Sequence, residues 1–106
     1  MQLADVEVRP GEGLVVIAGQ PVPMSAREVG VLSALVARRD RTVSRRELYE
    51  AVWGAPLRDG DRSVDVYVHK VRAKLEEALP EARLIHTHVG FGYRFSHTFH
   101  NPATDT

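Results

Sequence analysis

An α+β fold is predicted by three features of this 106-residue chain: apolar alternation at its start, three stretches of helical periodicity, and two short strands joined through glycines. One domain is the default at this length. Such a chain can bury a single modest core without metal or disulfide support. Hydrophobic residues make up 43% and charged residues 26%, ordinary values for a globular domain.

The elements follow in order. Ala4, Val6 and Val8 alternate with Asp5, Glu7 and Arg9, which suits a half-buried strand. Pro10-Gly11-Glu12-Gly13 is a turn, Leu14-Val15-Val16-Ile17 a second strand, and Ala18-Gly19-Gln20 a second turn. Pro21-Val22-Pro23 is extended, because residues preceding proline avoid the helical region. A small antiparallel sheet results. Ser25 and Glu28 match the capping box that opens a helix, and Val29, Leu32 and Val36 form its apolar stripe, widened by Val31 and Leu35. This helix is expected to end near Arg39-Asp40. A second capping box, Ser44 with Glu47, starts a shorter helix carrying Leu48, Val52 and Trp53, and Gly54-Ala55-Pro56 stops it.

The third helix, Arg62 to Leu79, is the most regular. Val64, Val68, Val71 and Leu75 form one buried stripe, and Pro80 closes the segment. Valine is a mediocre helix former, so packing rather than propensity holds this stretch. At about 100° per residue, Arg62, Val66, His69, Lys70, Ala73 and Glu77 fall opposite the stripe, with Arg72 and Lys74 on its flanks. Leu84 to Thr87 and Tyr93 to Phe95 are two strands joined by Val89-Gly90-Phe91-Gly92. The domain is expected over residues 1–96, with His97 to Thr106 a polar, disordered tail. Small sheet, three helices and hairpin, with a loop between the last two helices, give a winged helix-turn-helix.

Composition narrows the function. Lys plus Arg and Asp plus Glu number 14 each, so the formal charge is zero and charge alone does not point to nucleic acid. Between Arg62 and Leu75, however, four basic residues (Arg62, Lys70, Arg72, Lys74) stand against Asp65, a local charge of +3. A neutral total can hide such a face. The plainer alternative is that these charges only solvate a surface helix. With no cysteine, disulfides, thiolate chemistry and cysteine-ligated zinc are excluded. No apolar run approaches the roughly 18 residues of a membrane span, and the start lacks a secretion signal, so a cytoplasmic location is expected. His86-x-His88, with His97 and His100 nearby, suggests a metal, but no carboxylate is placed to complete three or four ligands. Gly90-x-Gly92 is not a dinucleotide fingerprint, and no paired acids or nucleophile–base pair stands out. Neither metal, cofactor nor enzymatic activity is expected.

Four segments resemble OmpR/PhoB-like effector domains of bacterial response regulators, in the right order over roughly residues 3–96. Val22-Pro23-Met24-Ser25 with Glu28 is similar to the start of their first helix. Ser44-Arg45-Arg46-Glu47-Leu48 and Val52-Trp53-Gly54 resemble the second. Arg62-Ser63-Val64-Asp65-Val66-Tyr67-Val68-His69-Lys70-Val71-Arg72-Ala73-Lys74-Leu75 resembles their recognition helix, and Ile85 to Phe95 their wing. The resemblance implies double-stranded DNA binding, with the third helix in the major groove and the hairpin near the minor groove. It implies Val66, His69 and Lys70 as base readers and Arg45, Trp53, Arg62, Ser63, Tyr67 and Tyr93 as phosphate contacts. Arg72 and Lys74, the flanking cations, join that second set. Lys70 can donate to guanine O6 or N7, and Val66 can pack on a thymine methyl. Arg62 and Ser63 open the helix, where N–H groups and positive side chains favour a phosphate. Trp53 is equally readable as a core anchor, and the Tyr67 ring as part of the core edge.

The resemblance further implies RNA polymerase as a partner of the 54–61 loop, an upstream receiver domain in a longer parent protein, and dimers on tandem half-sites. Two departures reduce interfacial charge. Val89 stands where the family often carries a groove-probing arginine, and His69 where a basic residue is common. Binding weaker or more pH-sensitive than in relatives is therefore expected, with His86 and His88 contributing only when protonated. The alternative is a protein-interaction module on a winged-helix scaffold with weak or no DNA binding.

Overall fold

The computed structural model describes residues 2–3 and 5–99. Strands β1 (Gln2–Leu3), β2 (Val6–Arg9), β3 (Leu14–Ile17) and β4 (Gln20–Pro21) form an antiparallel sheet in sequential order. Helices α1 (Ala26–Ala37), α2 (Arg45–Trp53) and α3 (Ser63–Ala78) follow, then the hairpin β5 (Ala82–His88) and β6 (Gly92–Phe99). Val6 pairs with Ile17 and Val8 with Val15, and all four side chains are buried. The alternation thus places one face of the sheet inward. Ala4, which the sequence included in the first strand, lies outside the described residues.

The β3–β4 turn has two central residues, Ala18 and Gly19, both at positive φ, 52° and 79°. This is the backbone of a two-residue hairpin turn whose twist matches the flanking strands. Glycine adopts it freely, whereas alanine is strained there. Ala18→Asn is expected to stabilise the domain by about 0.5–1 kcal/mol, since Asn tolerates the left-handed region. Thermal melting checks it, and an unchanged or lower midpoint would count against the strain.

α1 opens with the full capping box. The Ser25 hydroxyl accepts from the Glu28 N–H at 3.2 Å and the Glu28 carboxylate accepts from the Ser25 N–H at 2.8 Å. Val29, Val31, Leu32, Leu35 and Val36 of α1 and Val64, Val68, Val71 and Leu75 of α3 are buried in one core. Both helices pack together, and β6 closes over α1 with Phe95 fully buried. The chain between α1 and α2 pairs with β6 at one isolated antiparallel bridge, Val43 with Tyr93. The Val43 N–H donates to the Tyr93 carbonyl at 2.7 Å, the Tyr93 N–H returns the bond at 2.9 Å, and the Asp40 N–H reaches the Phe95 carbonyl at 2.8 Å. The wing is therefore hydrogen-bonded to the segment that enters the helix-turn-helix.

Two sequence expectations change. α1 is helical only to Ala37, not to Arg39-Asp40, and Asp40 takes the left-handed conformation at φ 69°. β6 runs through Phe99, pairing Thr98 with Arg83 and Phe99 with Ala82. The tail predicted from His97 therefore begins with three strand residues, and His100 to Thr106 lie outside the described residues.

Candidate nucleic-acid interface

α2 is capped at its start by the Ser44 hydroxyl, which accepts from the Glu47 N–H at 3.1 Å. The second half of the predicted capping box is absent. The Glu47 carboxylate turns instead to Arg41 and to Arg38 Nε, the latter at 2.8 Å, tying α2 to the end of α1. Hydrogen bonds from Arg41 and then Arg38 lower the Glu47 carboxyl to about 2 from an ordinary 4.5. A depressed carboxyl contributes stability that is present above its unfolded pKa and is lost as pH falls through the folded value. Melting temperature should thus fall between about pH 4.5 and 2, and Glu47→Gln should flatten that fall. An equally steep acid limb in the variant would count against the pairing; the effect is modest because the group is partly solvated.

α3 begins differently from its sequence reading. The Asp61 carboxylate accepts from the Ser63 N–H at 2.8 Å, and Arg62 supplies no side-chain cap. The first free N–H that was expected to meet a phosphate at Ser63 is therefore taken by Asp61. From there the helix keeps its predicted faces. Val64, Val68, Val71 and Leu75 are buried, while Arg62, Val66, His69, Lys70 and Ala73 are exposed along the opposite side. Val66, at 47% exposure, is one of few large apolar side chains in water.

Beside this face lies an aromatic ladder. Tyr49 stacks on Trp53 at 4.7 Å between centroids, and the Tyr67 ring meets Trp53 edge-on at 5.7 Å. The Arg27 guanidinium covers Trp53 at 4.6 Å and Lys70 Nζ stands 5.0 Å from the Tyr67 centroid. Trp53 and Tyr67 are both half-buried, so each has one side in the packing and one towards solvent.

A second group centres on Asp65. Its carboxylate accepts from Arg45 Nε of α2 at 2.9 Å, from Arg62 Nη1 at 3.5 Å, and from the Tyr93 hydroxyl of β6. Burial alone would raise the Asp65 carboxyl, but bonds from Tyr93 and Arg45 outweigh it and hold it below the usual range. Burial and then Asp65 push the Tyr93 phenol up. Both shifts keep the proton on Tyr93, which donates. Arg72 also reaches the wing, donating to Thr87 Oγ1 at 2.6 Å and lying 5.9 Å from the Tyr93 ring centroid.

The fold thus gathers Arg45, Arg62, Tyr93 and Arg72 into one linked group, with Trp53 of α2 and Tyr67 and Lys70 of α3 in another beside it. Lys74 is not among them. Its ammonium donates to the Pro23 carbonyl at 2.8 Å and pairs with the buried Glu28 at 3.0 Å. Glu28, raised by burial but lowered further by Ser25 and Lys74, stays ionised. Lys74 is thus the counter-ion of Glu28, which argues against the phosphate contact expected of it. Asp65, the residue that joins helix to wing, was read in the sequence only as a subtraction from the basic count. Its spacing of three from Arg62 was the available signal.

The wing tip exposes Val89 and Phe91, at 88% and 77%. They line a groove with Ser44, Arg45 and Arg46. His86, by contrast, is lowered by burial and by the neighbouring Arg94. The neutral ring is favoured there, so the expected gain of charge at His86 under mild acid is not supported.

Known proteins provide the comparison for this geometry. Residues 19–95 match the family model described as "Transcriptional regulatory protein, C terminal". The response regulator SaeR of Staphylococcus aureus is 35% identical over 82 residues, covering 77% of this chain and 36% of SaeR. The RstA DNA-binding domain of Klebsiella pneumoniae, crystallised with the RstA box, superposes with a TM-score of 0.79 at 26% identity, covering 91% of this chain and 95% of that one. DrrB, an OmpR/PhoB homologue of Thermotoga maritima, gives 0.74 at 25% identity, covering 91% of this chain and 43% of DrrB. The chain spans little more than a third of the curated relatives it matches, 38% and 36% for the first two.

Proposed function

Because the chain belongs to the transcriptional regulatory protein C-terminal family, of OmpR/PhoB type, we propose that it binds double-stranded DNA sequence-specifically as a bacterial transcriptional regulator. The observation that carries the reading is the exposed strip of α3. Val66, His69 and Lys70 stand out from it, flanked by the exposed Arg45 of α2 and Arg62 at the start of α3, with Tyr93 of β6 buried behind them. A helix so presented enters a major groove about 12 Å wide. Val66, His69 and Lys70 then face base edges, and Arg45, Trp53, Arg62, Ser63, Tyr67, Arg72 and Tyr93 meet the backbone, Ser63 through its hydroxyl. The hairpin tip at Val89 and Phe91 lies towards the minor groove as an apolar rather than cationic probe. The relative crystallised on its DNA box has this fold.

In this reading the domain includes the whole of β6, through Phe99 rather than ending at residue 96, and works in the cytoplasm. The exposed 54–61 loop, joining α2 to α3 at the edge of the DNA face, is assigned to RNA polymerase. A receiver domain in a longer parent protein, which the length of the relatives supports, and dimers on tandem half-sites belong to the same proposal.

Selection from random duplex DNA, followed by titration at two salt concentrations, tests the reading. A recurring sequence should be enriched, and affinity should fall with a log–log slope of roughly −0.9 per phosphate contact. Failure to enrich any sequence, with no binding at low salt, would leave the protein-interaction module as the better account.

A further inference from the structure

We infer that Asp65 is an internal competitor for the DNA backbone: in the free domain its carboxylate holds the guanidinium donors of Arg45 and Arg62 that a phosphate would use, with the buried Tyr93 hydroxyl as its third partner. The inference rests on the DNA-binding reading and deepens it.

The geometry is specific. Donors from α2, from the start of α3 and from β6 converge on one carboxylate, at 2.9 Å for Arg45 and 3.5 Å for Arg62, with the Tyr93 hydroxyl as the third. The carboxylate side chain is only 25% exposed, whereas Arg45 and Arg62 are 48% and 71% exposed. The acid lies beneath and the guanidinium groups lie outside it, within reach of an approaching strand. A carboxylate and a phosphate offer the same chemistry to a guanidinium, two anionic oxygens that accept from its planar fork of N–H donors. Binding therefore requires Arg45 and Arg62 to exchange or share an anion, and the phosphate meets the negative charge of Asp65 behind them. Val66, His69 and Lys70 have no bond to Asp65, so base reading is not opposed in this way. The residue damps the sequence-independent attraction while holding its donors in place.

Asp65→Asn keeps an acceptor for Arg45 and Tyr93 and removes the charge. It should bind mixed-sequence duplex about 5- to 10-fold more tightly than the parent at moderate salt, given the strength of a nearby unit charge at a partly solvated site. Glu81→Gln makes the same change in net charge beyond the far end of α3 and should alter affinity less than about twofold, since distant charges are screened. Equal gains in both variants, or no gain in a folded Asp65→Asn, would overturn the inference. If Asp65→Asn fails to melt cooperatively, the wild-type domain is used. Its Asp65 carboxyl carbon and Arg45 Nε–H resonances should both shift on saturation with duplex, and an unmoved Asp65 signal would overturn it. Absence of any wild-type binding at low salt sinks the DNA-binding reading itself. Wild-type binding without the predicted gain sinks only the role given to Asp65.

Discussion

Gly92→Ala should destabilise the domain by about 3 kcal/mol or more, at the top of the range for overpacking and strained backbone combined. A Cβ built on Gly92 falls 2.0 Å from the Val43 carbonyl oxygen and 2.9 Å from Ser44 Cα, and both obstacles are backbone. The position also has φ of +143°, which L side chains rarely adopt. Relief requires the wing to lift from the connector, breaking the paired bonds between Val43 and Tyr93. Tyr93 would then lose its place against Asp65. Denaturant unfolding measures the loss, and Gly90→Ala serves as the comparison. Gly90 also has positive φ, +82°, but nothing lies within 4 Å of its Cβ position. Similar losses at the two glycines would show that conformation alone, rather than the close approach, makes Gly92 necessary.

Lys70→Ala should weaken binding to a selected duplex by about 1–3 kcal/mol, roughly 5- to 150-fold, and relax the base preference at one position. Lys70 is exposed on the outward face of α3, with its ammonium 5.0 Å from the Tyr67 ring. That contact holds the long side chain near the helix without removing a donor, as a cation over a ring keeps its N–H groups. Competition binding with single-base variants of the selected site measures both effects. A uniform loss across all sequences, with a salt slope smaller by about 1, would move Lys70 from the bases to a phosphate.

The buried half of this domain was legible because it repeats locally. The valine stripe of α3 and the alternation of β2 are written at spacings of three to four and of two, and the structure buries Val64, Val68, Val71 and Leu75 and Val6 and Val8. What escaped depends on partners far along the chain. Lys74 has the sequence position of a flanking cation, yet its partner Glu28 lies 46 residues earlier. Glu47 completes the S-x-x-E pattern of Ser44, but Arg38 and Arg41 offer its carboxylate charge-assisted bonds that the helix end does not. Asp65 gains its meaning from Tyr93, 28 residues on. Strand β6 reaches Phe99 through main-chain pairing with Ala82 and Arg83, which a polar composition does not advertise. For the interface, outward direction on α3 was readable from periodicity, whereas the fate of each charged side chain was not.

The bonds that join Val43 to Tyr93 and Asp40 to Phe95 also order events in time. They link segments about half the chain apart, and contacts of that separation form late because a long loop must close first. During synthesis the three helices leave the ribosome before the strand that supplies Phe95 to their core. Until then the connector lacks its partner in β6, and α1 lacks the strand that closes over it. Arg45 and Arg62 can find Asp65 early, but Tyr93 joins them last. The nascent chain thus completes the surface proposed to face DNA at the step that closes its core, and a shortened product would display basic residues without the framework that aims them.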